Sequence, residues 1–71
     1  MENQIKFYRR QLDMTQQDLA FELGQKQSSI SNYENGQRQP DIETAKSIID
    51  AFSKRGLSVG LDDLFQASAA I

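Results

Sequence analysis

The run Thr15–Tyr33, TQQDLAFELGQKQSSISNY, decides the fold. It opens on Thr15, whose hydroxyl suits a helix N-cap because it can accept an N–H that the first turn leaves unpaired. Asp18 follows three residues later and places negative charge at the favourable end of the helix dipole. Leu19, Ala20 and Leu23 form an apolar stripe, so a helix is expected over Gln16–Leu23. Gly24 ends it, since glycine accepts the left-handed conformation that commonly follows a helix. Another short helix is expected from about Gln27 to Tyr33, buried mainly through Ile30. So short a turn makes the two helices cross steeply. Close crossing needs a small side chain, and Ala20 supplies it.

Working outward, a first helix is expected from about Asn3 to Leu12, with Ile5, Tyr8 and Leu12 at helical spacing. After Tyr33, Asn35-Gly36 is a turn signal and Pro40 discourages helix in the residue before it. Asp41 is then a cap for a fourth helix, Ile42 to about Arg55, with Ile42, Ala45, Ile48, Ile49 and Phe52 facing inward. Lys54 and Arg55 complement its C-terminal dipole, and Gly56-Leu57 reads as a Schellman ending. A last short helix is placed from Leu61 to Phe65 or slightly beyond, with the following residues continuing it or fraying. The periods are helical throughout, with no internal repeat and no linker. The expected fold class is therefore all-α: one compact five-helix domain over residues 1–71, with its core at about 3–66 and a short tail at 67–71.

The chain has 71 residues, no cysteine and no histidine. Disulfides and thiolate metal sites are excluded, and so is the commonest general base. No nucleophile–base arrangement remains, so an enzyme is not expected, nor a metal, a cofactor or a small-molecule substrate. Glu34 alone, with no second acid placed beside it, does not make a catalytic centre. Stability has to come from helix packing, from a partner subunit, or from both. The polar start Glu2-Asn3-Gln4 is unlike a signal peptide, and no apolar run approaches the ~20 residues of a membrane span. A cytoplasmic location is the simplest expectation.

The formal net charge is −2, but its distribution matters more than its sum. Between Gly24 and Gln39, Lys26 and Arg38 stand against the single acid Glu34, among many Gln, Ser and Asn residues. Lys6, Arg9 and Arg10 lie near the N-terminus, whereas Asp41, Glu43, Asp50, Asp62 and Asp63 make the second half acidic. On the open face of the third helix lie Lys26, Gln27, Ser28, Ser31 and Asn32. These are donors and acceptors rather than the Glu/Lys mixture of a solvated face. Gln and Asn pair bidentately with adenine, Lys with guanine, and Ser with either kind of base edge.

The chain resembles the lambda-repressor-like family of Cro, phage repressor and xenobiotic-response-element regulators over roughly Ile5 to Phe65. The resemblance rests on Arg9, the run Thr15–Ala20, Gly24, the run Ser28–Gly36, and Pro40 at matching separations. It implies a helix-turn-helix formed by helices two and three. It further implies base reading by Gln27, Ser28 and Asn32, with Lys26 at the start of the recognition helix. Gln16 would touch a phosphate and brace Gln27. Ser31, Asn35 and Arg38 are further phosphate or bracing candidates, and Arg9 and Glu34 would form an internal salt bridge.

Tyr33 suits either packing at the domain edge or a phosphate contact through its hydroxyl. Phe7 and Phe21 fall where the family is usually polar, and are expected to pack on each other or under a neighbouring stem; a protein-partner patch is the other reading. Gln25 replaces the apolar residue usual in the turn, and Lys26 is a poor N-cap. Between Phe52 and Leu61 the chain carries about five residues more than its relatives, where dimers are commonly made. Leu57, Val59, Leu61, Leu64 and Phe65 are interface candidates, although Leu64 better suits the monomer core. The expected function is a transcriptional regulator bound to double-stranded DNA, a homodimeric repressor or autoregulator on an inverted repeat. The alternative is an antitoxin or restriction-type controller whose acidic half binds a protein such as a toxin.

Overall fold

Backbone polar groups at helix ends need partners, and the way they find them sets the element boundaries. A computed structural model describes residues 3–65 as five helices, α1 (Ile5–Gln11), α2 (Gln16–Leu23), α3 (Gln27–Glu34), α4 (Ile42–Ser53) and α5 (Leu61–Leu64). The expected tail at 67–71 lies outside the described residues. Thr15 and Asp18 form a reciprocal capping box: Asp18 N donates to Thr15 Oγ1 at 3.0 Å, and Thr15 N donates to Asp18 Oδ2 at 2.9 Å. Asp41 Oδ1 accepts from Thr44 N at 2.8 Å to start α4. The first helix begins later than its apolar spacing suggests, because Asn3 lies outside it and its Oδ1 accepts from Ile5 N at 3.0 Å.

The C-terminal ends share one device. After α2, Gly24 N donates to Phe21 O and Gln25 N to Ala20 O, with Gly24 at φ 67°. After α4, Gly56 N reaches Ser53 O and Leu57 N reaches Phe52 O, which is the expected Schellman pairing. That pairing terminates α4 at Ser53, two residues short of the expected Arg55. The same pattern closes α1, where Asp13 N donates to Arg10 O and Met14 N to Arg9 O. Here the left-handed residue is Asp13, at φ 56°.

These caps set the directions of helices that then share one core. Ile5, Leu19, Ile30, Ala45, Ile48, Phe52 and Leu64 are fully buried. α2 packs chiefly on α3 and α4, α1 packs on α3, and α5 closes the far side of α4. The described residues occupy 33 × 27 × 21 Å. Ala20 is buried beneath the α2–α3 crossing. Leu64 belongs to the core, and its carbonyl accepts from Gln4 N at 2.8 Å, tying the last helix to the start of the first.

Three apolar residues do not lie where the sequence placed them. Ile42 is 60% exposed. It is the first residue of α4, before that helix has reached the core, so its periodicity with Ala45 does not bury it. Phe7 and Phe21 are 53% and 88% exposed and do not cover one another; Phe7 instead meets Tyr8 edge-on at a centroid distance of 5.2 Å.

Two predictions follow from the caps. A non-glycine left-handed residue costs about 1–2 kcal/mol, while glycine adds about 0.4–1 kcal/mol of unfolded-state entropy. Asp13→Gly should therefore raise stability by roughly 0.5–1 kcal/mol in urea denaturation, helped by removing a carboxylate from the negative end of α1. Unchanged or lower stability would contradict that account. The hydrogen bonds from Thr15, backbone first and then hydroxyl, hold Asp18 below its ordinary value of 3.8, and those from Thr44, hydroxyl first and then backbone, do the same for Asp41. Each cap therefore contributes fully above pH 3.8 and is lost as pH falls from there through the lowered folded values. Between pH 5 and pH 2.5 the Asp18→Asn/Asp41→Asn protein should lose less melting temperature than the parent. Parallel curves would remove the caps from the acid response.

Candidate nucleic-acid interface

A short helix can aim side chains outward reproducibly only if something fixes its own position. α3 is held at both ends. At its C-terminal end, Asn3 Nδ2 donates to Tyr33 O at 2.8 Å. Tyr33 is buried, and its hydroxyl donates to Gln25 Oε1 at 3.2 Å. The tyrosine thus packs inside with its hydroxyl occupied, and the polar Gln25 in the turn is the acceptor that makes this possible.

Glu34, the last residue of α3, is the second anchor. Its carboxylate accepts from Arg9 Nε at 2.6 Å and from Arg9 Nη2 at 3.1 Å, a two-pronged contact. The side chains are 9% and 2% exposed, respectively. Burying two charges is unfavourable unless their remaining polar atoms are also satisfied. Arg9 Nη1 donates to Met14 O at 2.6 Å, and Gln16 Nε2 donates to Glu34 Oε1 at 3.0 Å. Gln27 Nε2 in turn donates to Gln16 Oε1 at 3.2 Å. A continuous line of bonds therefore runs from the buried pair through the first residue of α2 to the first residue of α3.

The exposed side of that line carries the sequence-derived candidates. Lys26, Gln27 and Ser28 are exposed on the first turn of α3, with Asn32 half-buried one turn further on. Lys26 stands at the N-cap without a side-chain capping bond. Asn35 and Arg38 are exposed beyond α3, and Asn35 Nδ2 donates to the half-buried Ser31 Oγ at 3.4 Å. Beside Gln16 a shallow concavity is lined by Arg10, Thr15, Gln17 and Gln27. Arg10 thereby joins this surface, although sequence reading gave it no role. Its helical position, one residue from the inward Arg9, was the available signal.

Away from this face, Leu57, Val59, Leu61 and Phe65 are half-buried and pack against the core. The segment just before them is attached to α2. Arg55 Nη1 lies 3.4 Å from Glu22 Oε2 and donates to Ala51 O at 3.5 Å. Nothing in the local sequence pairs residues 33 apart, so this contact was not anticipated. Among the described residues no group of acidic or other ligating side chains could hold a metal, and no helix is long and apolar enough to cross a membrane.

The buried pair should be unforgiving to single changes. A 71-residue chain has roughly 4–11 kcal/mol of stability, and removing one member of a buried pair costs about 3–5 kcal/mol. Glu34→Ala should therefore lose a large share of the total stability, about 3–5 kcal/mol in urea titration. The double change Arg9→Met/Glu34→Leu should recover most of the loss, because no buried charge is left alone. A double variant as unstable as the single one in urea titration would show that the pair contributes more than mutual neutralisation.

The model of the family described as helix-turn-helix matches residues 5–58. An uncharacterized HTH-type transcriptional regulator of Methanocaldococcus jannaschii is 34% identical over 65 residues, covering 92% of this chain and 91% of the relative. No solved structure matches significantly. With a family match over most of its length and a relative aligned nearly end to end, the chain belongs to the helix-turn-helix family of lambda-repressor, Cro and xenobiotic-response-element regulators, DNA-binding proteins rather than enzymes.

Proposed function

We propose that this protein is a homodimeric transcriptional repressor or autoregulator whose α2–α3 pair reads an inverted repeat. The observation that carries this reading is the bonded line Gln27–Gln16–Glu34–Arg9, which fixes an exposed glutamine on the outward first turn of α3. A reading side chain must hold its position before it meets a base edge, and this one is held. Gln27, Ser28 and Asn32 select sequence, with Lys26 at the start of the helix. Gln16, Ser31, Asn35 and Arg38, joined by Arg10, set register on the phosphates. Two α3 helices enter successive major grooves about 34 Å apart, or ~10 base pairs. Leu57, Val59, Leu61 and Phe65 form the dimer contact. The chain acts as a single cytoplasmic domain with no cofactor.

Few cations face the duplex, so the salt dependence of binding is shallow compared with strongly basic binders. A second reading, an antitoxin or controller that holds a protein partner such as a toxin, is favoured by the exposure of Phe7 and Phe21. Co-purification with a small basic protein encoded beside this one supports it. A homodimer bound alone to its operator counts against it.

Selection of duplexes from a random pool, followed by mass measurement of the complex, tests the main reading. Two chains per duplex and a two-fold symmetric site are expected. Gln27→Ala should weaken cognate binding by about 1–3 kcal/mol while barely changing non-specific binding. An equal loss on both kinds of DNA would end the assignment of Gln27 as a reader.

A further inference from the structure

We propose that a second copy of this chain docks the start of its α4, Asp41–Ile42–Glu43, on the Lys6–Phe7–Arg10 face of α1, and that this contact competes with DNA. Among the described residues the exposed large apolar side chains are Phe7, Phe21 and Ile42. Single exposed apolar residues are ordinary, but two flanked by free charges of opposite sign form a complement. Phe7 lies in a shallow hollow with Lys6, Arg10 and Gln11. Helical spacing sets Arg10 and Gln11 beside Phe7, and Lys6 beside Arg10. Among the described residues neither Lys6 nor Arg10 has an ion-pair partner. Ile42 presents the reverse, standing between Asp41 and Glu43 with all three exposed. Asp41 Oδ1 accepts from Thr44 N, and no described ion pair joins either carboxylate to Arg38 or Lys46, the nearest cations in sequence. Phe21 has no such complement, because Asp18 is engaged by Thr15 and Glu22 lies 3.4 Å from Arg55.

An apolar side chain between cations matches one between carboxylates. Burying Phe7 against Ile42 drives the association, and the flanking charges set its register. Within one chain both residues are exposed, so they do not cover each other and a second chain is needed. Each chain carries both halves, so no other molecule is required. A phosphate backbone would satisfy Lys6 and Arg10 but offers Phe7 no apolar cover. Competition with DNA follows from Arg10, which lines both this hollow and the concavity beside Gln16, Gln17 and Gln27. A copy seated on Phe7 therefore occupies part of the surface read as the DNA interface; this step rests on that reading. The contact is separate from the one formed by Leu57, Val59, Leu61 and Phe65, and at high concentration it withholds the protein from its operator.

Sedimentation of the full chain over a wide concentration range, with and without a duplex selected from a random pool, tests this. The free protein should form a concentration-dependent species beyond the apolar dimer, weakened by salt because the flanking charges are exposed. Phe7→Ser and Ile42→Ser should each weaken it about tenfold; both side chains face solvent, so the fold should be retained. Lys6→Glu and Glu43→Lys should each weaken it about fivefold, and the double variant should return to about the parent level. Saturating duplex should dissolve the species. Association independent of Phe7 and Ile42, or none at all, overturns the contact and leaves the two patches to a partner of another kind. Loss of duplex affinity in Lys6→Glu with self-association unchanged also overturns it, assigning the α1 patch to DNA. Assemblies that persist on saturating duplex overturn the competition. If no duplex is selected, the DNA reading fails, while the self-contact is still decided by the free protein.

Discussion

The buried contact between Arg9 and Glu34 is the constraint on which the rest of the arrangement depends. It joins α1 to the last residue of α3 across 25 positions of sequence, and the Arg9 fork also fastens the Met14 carbonyl just ahead of α2. Three elements therefore share one charged centre. Among the described residues no buried side-chain polar atom lacks a partner, so the desolvation of two charges is answered by bonds rather than left as a penalty. Gln16 ties the same centre to the exposed face.

The turns complement this centre. Each of the first two helices is closed within three residues by bonds back to its own last turn, with Asp13 and Gly24 in left-handed backbone. The connection from α2 to α3 therefore has little freedom, and Ala20 beneath it permits close approach. Apolar burial supplies most of the stabilisation, but it is non-directional. The caps and the ion pair decide which single crossing of α2 and α3 that burial stabilises.

Much of this was legible in the sequence because the signals are local. Thr15, Asp18 and Gly24 mark α2 to the residue, since capping chemistry acts over three or four positions. The Arg9–Glu34 contact was legible only through family resemblance, and the start of α1 was misplaced because Asn3 serves as an acceptor from outside the helix. Periodicity put Ile42 inside because it reports which face a residue lies on, not how far along the helix the core begins. Phe7 and Phe21 show the same limit, since hydrophobicity alone does not supply a neighbour. The Glu22–Arg55 contact and the use of Gln25 by Tyr33 join residues distant in sequence or alternative in role, and only the assembled helices bring them together.

The two glutamines leave unequal freedom on the first turn of α3. Lys26 and Ser28 stand on the same turn as Gln27 and are exposed, so a change at either alters what the helix offers without disturbing the core. Gln27 is wired inward through Gln16. Replacing Gln27 leaves the outward oxygen of Gln16 to solvent, and replacing Gln16 releases Gln27. A change at either glutamine is therefore felt by the other, whereas among the described residues Lys26 and Ser28 make no such bond to a neighbouring helix.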